Sequence, residues 1–276
     1  MCINLNFFKN IFGGKESGET TETEITSGTA TNGETVPGDN NIFDDMDEPI
    51  IIEINTPVTP EKPDYSGFVV LLDNGHAKST FGKRSPRLDD GRQFFEYEFN
   101  RDVVARIAKA LDKLGIRNYV LVPEVEKDIA LSERARRANE YCKEYGKDNC
   151  FFISVHSNAY GMGEKWETPG KWSVWTTAGE TKSDEYGKVL YKVAEEMLEP
   201  YGFGCRDGKV QGNGNPGPDY EENFTVIYKT NCPAVLTENL FYTNKKECEW
   251  LMTDIGRQVI ADIHVEGIKR IIESRK

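Results

Sequence analysis

Long apolar runs are missing from this sequence. Nowhere in its 276 residues does a stretch approach the ~18 apolar side chains that a membrane-spanning helix needs. The opening residues, Met1-Cys-Ile-Asn-Leu-Asn-Phe-Phe, lack the basic-then-apolar order and the small-residue cleavage site of a secretory signal. The expectation is therefore a chain made and held in the cytoplasm, acting beyond it only after release by another agent. Basic excess is missing too, so the sequence offers no electrostatic footprint for nucleic acid, which calls for a basic face. The six cysteines include no C-x-x-C pair. That excludes the common structural zinc cages and leaves small buried thiols as the simplest reading. Histidine is scarce, with only His76, His156 and His264.

What charge there is lies unevenly. Residues 1–64 hold 13 of the 46 acidic side chains but only three of the 34 basic ones. The remaining 212 residues, with 33 acidic against 31 basic, are nearly neutral. Residues 13–41 are Gly, Ser, Thr, Glu and Asn with hardly an apolar side chain, a composition that predicts disorder. Residues 3–12 can form a short amphipathic helix and 49–55 a strand, either able to dock on a partner. Pro57, Pro60 and Pro63 make a stiff linker. The chain divides on this basis into an acidic, largely disordered tail (1–64) and one working domain (65–276).

That domain alternates strands and helices. Phe68 to Leu72 is a branched apolar run of the kind buried on both faces of a parallel sheet, and it ends in Asp73-Asn-Gly-His76. Helices are predicted over 99–114, stopped at Gly115, over 132–145 with Ser132 as N-cap, over 183–198, and over 245–253 and 255–274. Further strands are expected at 119–122, 150–155, 173–177, 224–228 and 234–237, with a long irregular loop over 202–223. The pattern predicts an α/β fold: a mostly parallel twisted sheet with helices on both faces, three layers in all.

Open α/β sheets bind ligands at the carboxyl ends of their strands. Here those ends carry His76, His156 and Glu238, which should meet on one rim. A catalytic zinc commonly takes three protein ligands and keeps one position open. The first helix offers Glu96 or Glu98 as the third. Glu96 lies in phase with Phe99, Val103 and Ile107 on the buried face, whereas Glu98 lines up with Asp102, Arg106 and Lys109 on the solvated one. A carboxylate on a core-facing stripe needs a partner, and a cation would serve. Glu96 is the candidate.

Five pieces in order carry a resemblance. They are Asp73-Asn-Gly-His76, Glu96-Tyr-Glu-Phe-Asn-Arg101, Leu131-Ser-Glu-Arg-Ala-Arg-Arg-Ala-Asn139, Ser154-Val-His-Ser-Asn158 and Val235-Leu-Thr-Glu-Asn239. The chain from about residue 68 to 272 resembles the zinc-dependent N-acetylmuramoyl-L-alanine amidases of the amidase_3 type. Asn74 stands where that family usually has Pro, and Ala77 where a second Gly is common. The resemblance implies one zinc ion on His76, Glu96 and His156, with Glu238 as the catalytic carboxylate. It also implies peptidoglycan as substrate and Asn158, Arg134 and Asn239 as candidates to touch it. Arg134 and Asn139 have a second reading, as an ion pair or hydrogen bond beneath the site, and His264 reads as structural. Residues 159–172 are short, which implies an open site. Trp166, Trp172 and Trp175 read equally as groove lining or as core.

Two other readings fit parts of the pattern. A zinc carboxypeptidase uses a similar ligand set, but its first Glu stands three residues after the first His, and Glu96 is 20 after His76. A protein that grips cell wall without cutting it has no use for Glu238.

Overall fold

The structure, a computed structural model, describes residues 64–275 apart from 213, 214 and 216. The expectations for 3–12, 13–41 and 49–55 lie outside the described residues. In chain order the elements are β1 (Val69–Asn74), α1 (Glu96–Leu114), β2 (Arg117–Val120), α2 (Leu131–Tyr145), β3 (Cys150–Asn158) and β4 (Ser173–Thr176). They continue with α3 (Lys182–Leu198), β5 (Tyr220–Glu221), α4 (Thr225–Tyr228), β6 (Ala234–Phe241), α5 (Lys245–Leu251) and α6 (Asp254–Ser274).

One six-stranded sheet runs in the order β2-β1-β3-β6-β4-β5. Four of its strands are mutually parallel, while β4 pairs antiparallel with β6 and carries β5 beside it. The period of two in a strand sorts the apolar side chains of β1 and β3 between two cores. Val70, Leu72, Phe151 and Ile153 pack with α1, α3 and α6, while Val69, Leu71, Cys150 and Phe152 pack with α2 and α4. Helices therefore cover both faces of a mixed sheet, the predicted three layers.

Several local expectations are corrected. Residues 224–228 form no strand: Thr225–Tyr228 is one helical turn, with Val226 and Ile227 buried and Tyr228 exposed. Five apolar residues are too few for periodicity to separate the two forms. Ser132 is not the cap of α2, which starts one residue earlier after Ala130, whose carbonyl accepts from the Glu133 and Arg134 amides. The clearest side-chain cap lies instead at α3, where Thr181 and Asp184 form a reciprocal capping box. α1 ends at Gly115, in the left-handed region with φ 75°.

The parallel strands β1, β3 and β6 deliver their carboxyl ends to one rim. Their register sets Asn74 beside Val155 and His156 beside Glu238. Beneath the rim lies His264 of α6, fully buried, with Nδ1 donating to the Ile260 carbonyl at 2.7 Å and Nε2 accepting from the Thr237 hydroxyl at 2.9 Å. Burial pushes its pKa down to about 4, so the folded protein holds this ring neutral. An unfolded chain titrates its histidine near ~6.5, so the stabilisation is complete above that pH and is lost as pH falls toward 4. Thermal unfolding between pH 7 and 4 should show this as a fall in Tm that is shallower in His264→Gln; equal slopes in the two proteins would refute it.

Candidate metal centre

The centre is assembled from three elements. The chain leaves β1 through Gly75, whose amide donates to the Val155 carbonyl at 3.1 Å. A Cβ on Gly75 would lie 2.0 Å from the His156 ring, so only glycine lets the imidazole stand there. His76 follows with φ 64°, a left-handed conformation that costs a non-glycine residue roughly 1–3 kcal/mol. α1 holds that turn in place. Asn100 Nδ2 donates to the Gly75 carbonyl at 3.0 Å and Arg101 Nη1 to the His76 carbonyl at 2.8 Å.

Glu96 is the first residue of α1, and its side chain is buried to 1% exposure. Oε1 lies 3.1 Å from His156 Nδ1 and also accepts from the Ser157 amide at 3.2 Å. Oε2 lies 3.4 Å from His76 Nε2 and has no hydrogen-bond partner. The two imidazoles meet edge to face with centroids 4.8 Å apart. His76, Glu96 and His156 each offer one ligand atom within 4.8 Å of the others.

These residues fit a divalent ion on two counts. The Glu96 carboxylate lies between both imidazoles, Oε1 3.1 Å from His156 Nδ1 and Oε2 3.4 Å from His76 Nε2, and the three ligand atoms group within 4.8 Å of one another, as donors to one zinc ion must. The orphaned Glu96 Oε2 is moreover a buried acceptor with His76 Nε2 at 3.4 Å and Lys83 Nζ at 3.9 Å. The two rings differ in charge tendency: burial favours the neutral His76, whereas at His156 burial is outweighed by the Glu96 carboxylate, which pushes the pKa up. Burial drives the His76 ring down to about 4, and it is neutral near pH 7. Burial would raise Glu96, but the two imidazoles and Lys83 outweigh it and hold the carboxyl near 2.

Glu238 faces this cluster from β6. It is half-buried, its Oε2 has no partner, and it lines a cavity with Lys83, Asn158, Met162 and Tyr242. Burial raises its pKa to about 7, with Glu96 adding to the rise and His156, Lys83 and Arg206 opposing it. Asn158 lines the same cavity. Its Oδ1 accepts from the Ala159 amide at 2.8 Å, and its amide group has no partner among the described residues.

The other two candidates for substrate contact lie deeper. Arg134 is buried to 1% exposure and bound to the Asp73 carboxylate at 2.6 Å, Asp128 at 2.7 Å, and the carbonyls of Ile129 and Asn74. Asn239 is fully buried; it donates to the His156 carbonyl at 2.8 Å and accepts from Trp172 Nε1 at 2.7 Å. Neither presents an atom to solvent; both set the positions of residues that do. Trp172 is thereby a core residue, and Trp175 packs against Tyr220 and Phe224. Asn139 ties α2 to the segment before β6 through Lys229 and Asn231. Cys142, Cys150, Cys232 and Cys248 are buried free thiols.

Three neighbours of the centre carry no sequence signal. Lys83 Nζ stands 3.9 Å from Glu96 Oε2, brought there because the Lys83 carbonyl accepts the Glu96 amide. Asp128 Oδ2 lies 4.0 Å from His76 Nδ1. Arg206 acts on Glu238 from the loop after α3.

The chain is similar to known proteins over most of its described length. An endolysin of Bacillus phage SPP1 is 29% identical over 212 residues, spanning 75% of this chain and 67% of the endolysin. The N-acetylmuramoyl-L-alanine amidase CwlM of Bacillus licheniformis is 26% identical over 214 residues, with 75% and 70% covered. The crystal structure of an N-acetylmuramoyl-L-alanine amidase from Clostridium difficile 630 shares the fold, with a TM-score of 0.60 at 22% identity over 76% of this chain and all of that one. The family model described as N-acetylmuramoyl-L-alanine amidase matches residues 70–270, and the chain belongs to that family.

Proposed function

We propose that His76, Glu96 and His156 hold one zinc ion and that Glu238 moves the proton as this peptidoglycan amidase cleaves the amide between the muramoyl lactyl group and L-alanine. The observation that carries this reading is the convergence of two imidazoles and an orphaned carboxylate, with a second, unpartnered carboxylate facing them. Zinc bound there supplies a Lewis acid that acidifies water and polarises the scissile carbonyl. Glu238, placed by its register opposite His156, accepts a proton from the attacking water and returns it to the alanine nitrogen as the C–N bond breaks. A carboxyl near 7 suits both halves of that exchange. Asn158 offers its free amide group to a substrate carbonyl in the cavity, while Arg134 and Asn239 keep the β1 turn and His156 in position. Phe81 and Met162, exposed at 84% and 65%, form an apolar lip on the same cavity for the incoming strand.

No helix among the described residues is long and apolar enough to cross a membrane. The likeness to a phage endolysin supports a role in wall lysis, on a substrate reached after release from the cell interior. Mass analysis of digested, purified peptidoglycan tests the assignment. The expected products are stem peptides with free L-alanine amino termini and glycan strands keeping their lactyl carboxylates. New reducing sugar ends or new carboxyl termini within the peptide would overturn it.

A further inference from the structure

We propose that Arg206 recognises a free carboxylate on the stem peptide and makes the enzyme selective for wall in which that carboxylate is not amidated. The inference rests on the amidase reading and adds a charge requirement to it.

Arg206 lies in the loop after α3, where the chain runs beside β4. Its amide donates to the Trp172 carbonyl at 2.7 Å, and Cys205 pairs with Trp172 as a parallel bridge. Trp172 immediately precedes Ser173, the register partner of Glu238. Arg206 is thus one strand removed from Glu238, close enough that its charge lowers the Glu238 carboxyl. The guanidinium stacks over two rings, Tyr220 at 5.0 Å and Phe241 at 5.6 Å. Such stacking fixes the plane of the group while leaving its N–H edge free.

Nothing among the described residues uses that edge. Among the described residues no acceptor or carboxylate pairs with the Arg206 side chain, although it is half-buried. Arg101 and Arg134, by contrast, are engaged, Arg101 by backbone carbonyls and Arg134 by Asp73 and Asp128. Lys83, the other cation acting on Glu238, has Glu96 as its partner. A planar, oriented and unpaired guanidinium matches a carboxylate through two parallel hydrogen bonds. The glycan beside the scissile amide is uncharged, because the lactyl carboxyl is itself tied up in that amide. Carboxylates reaching this rim therefore come from the peptide.

The test compares purified peptidoglycan with free stem-peptide carboxylates against the same material after carbodiimide coupling to ammonia. Release of amino groups is followed for the wild type, Arg206→Ala and Arg206→Lys. The wild type should favour the free-acid wall by about tenfold or more in kcat/KM, mainly through KM. Arg206→Ala should lose that preference, cleaving its free-acid and amidated walls with kcat/KM values within about twofold of each other, and Arg206→Lys should keep part of it. Equal cleavage of both walls by the wild type would overturn the proposal without any variant. Loss of activity on both walls alike in Arg206→Ala would assign the residue a purely structural role. Failure of the wild type to cleave either wall would instead sink the amidase reading and this inference with it.

Discussion

Glu238→Ala is expected to lower kcat by roughly 10³-fold, within the ~10²–10⁴ that a positioned acid–base group contributes, while the protein still binds one zinc ion per chain. The two readouts separate because Glu238 is not in the cluster of ligand atoms formed by His76, Glu96 and His156. Its side chain is half-buried and its Oε2 has no hydrogen-bond partner, so truncation breaks no bond that holds the fold. Glu238→Gln should be nearly as inactive, since an amide keeps the shape but cannot take a proton. His76→Ala should behave differently and lose metal and activity together. A chelator should silence the wild type, and added zinc should restore it but leave both Glu238 variants silent. Zinc content would be measured by atomic emission and activity by amino-group release. Glu238→Ala with more than a tenth of wild-type kcat would remove Glu238 from the mechanism; loss of zinc in that variant would make it a ligand instead.

The parts of the site that were legible in the sequence are those fixed by backbone geometry. His76, His156 and Glu238 stand at the ends of apolar runs that form buried strands, and parallel strands send such ends to one rim. Glu96 was legible through helical phase: it lies on the same buried stripe of α1 as Phe99, Val103 and Ile107. Residues whose role depends on side-chain reach across loops were not legible. Asp128 approaches His76 from a segment with no periodicity, and Arg206 is placed one strand from Glu238 because an irregular loop runs beside β4. The single turn Thr225–Tyr228 was misread as a strand because four or five residues are shorter than the period needed to identify them. Arg134 and Asn239 illustrate a third case: their motif positions are visible, but whether they face the substrate or lie beneath it depends on burial.

Arg134 is also where the fold should prove most fragile. Its guanidinium and the Asp73 carboxylate are each buried to 1% exposure, and Asp73 completes its bonding with the Ser154 hydroxyl at 2.6 Å. Removing one partner of such a pair leaves an uncompensated buried charge, a loss of about 3–5 kcal/mol. For a domain of this size Arg134→Met should lower Tm by roughly 10 °C. Activity should fall as well, because Arg134 also donates to the Asn74 carbonyl, two residues before His76. Charge and shape can be told apart by a second substitution. Asp73→Asn in the Arg134→Met background removes the orphaned carboxylate while keeping its size, and should recover about half of the lost stability. Calorimetry of the two single variants and the double would decide it. A double variant as unstable as the sum of the singles would mean that Arg134 stabilises by packing and carbonyl bonds alone, and that the ion pair beneath the metal centre contributes nothing.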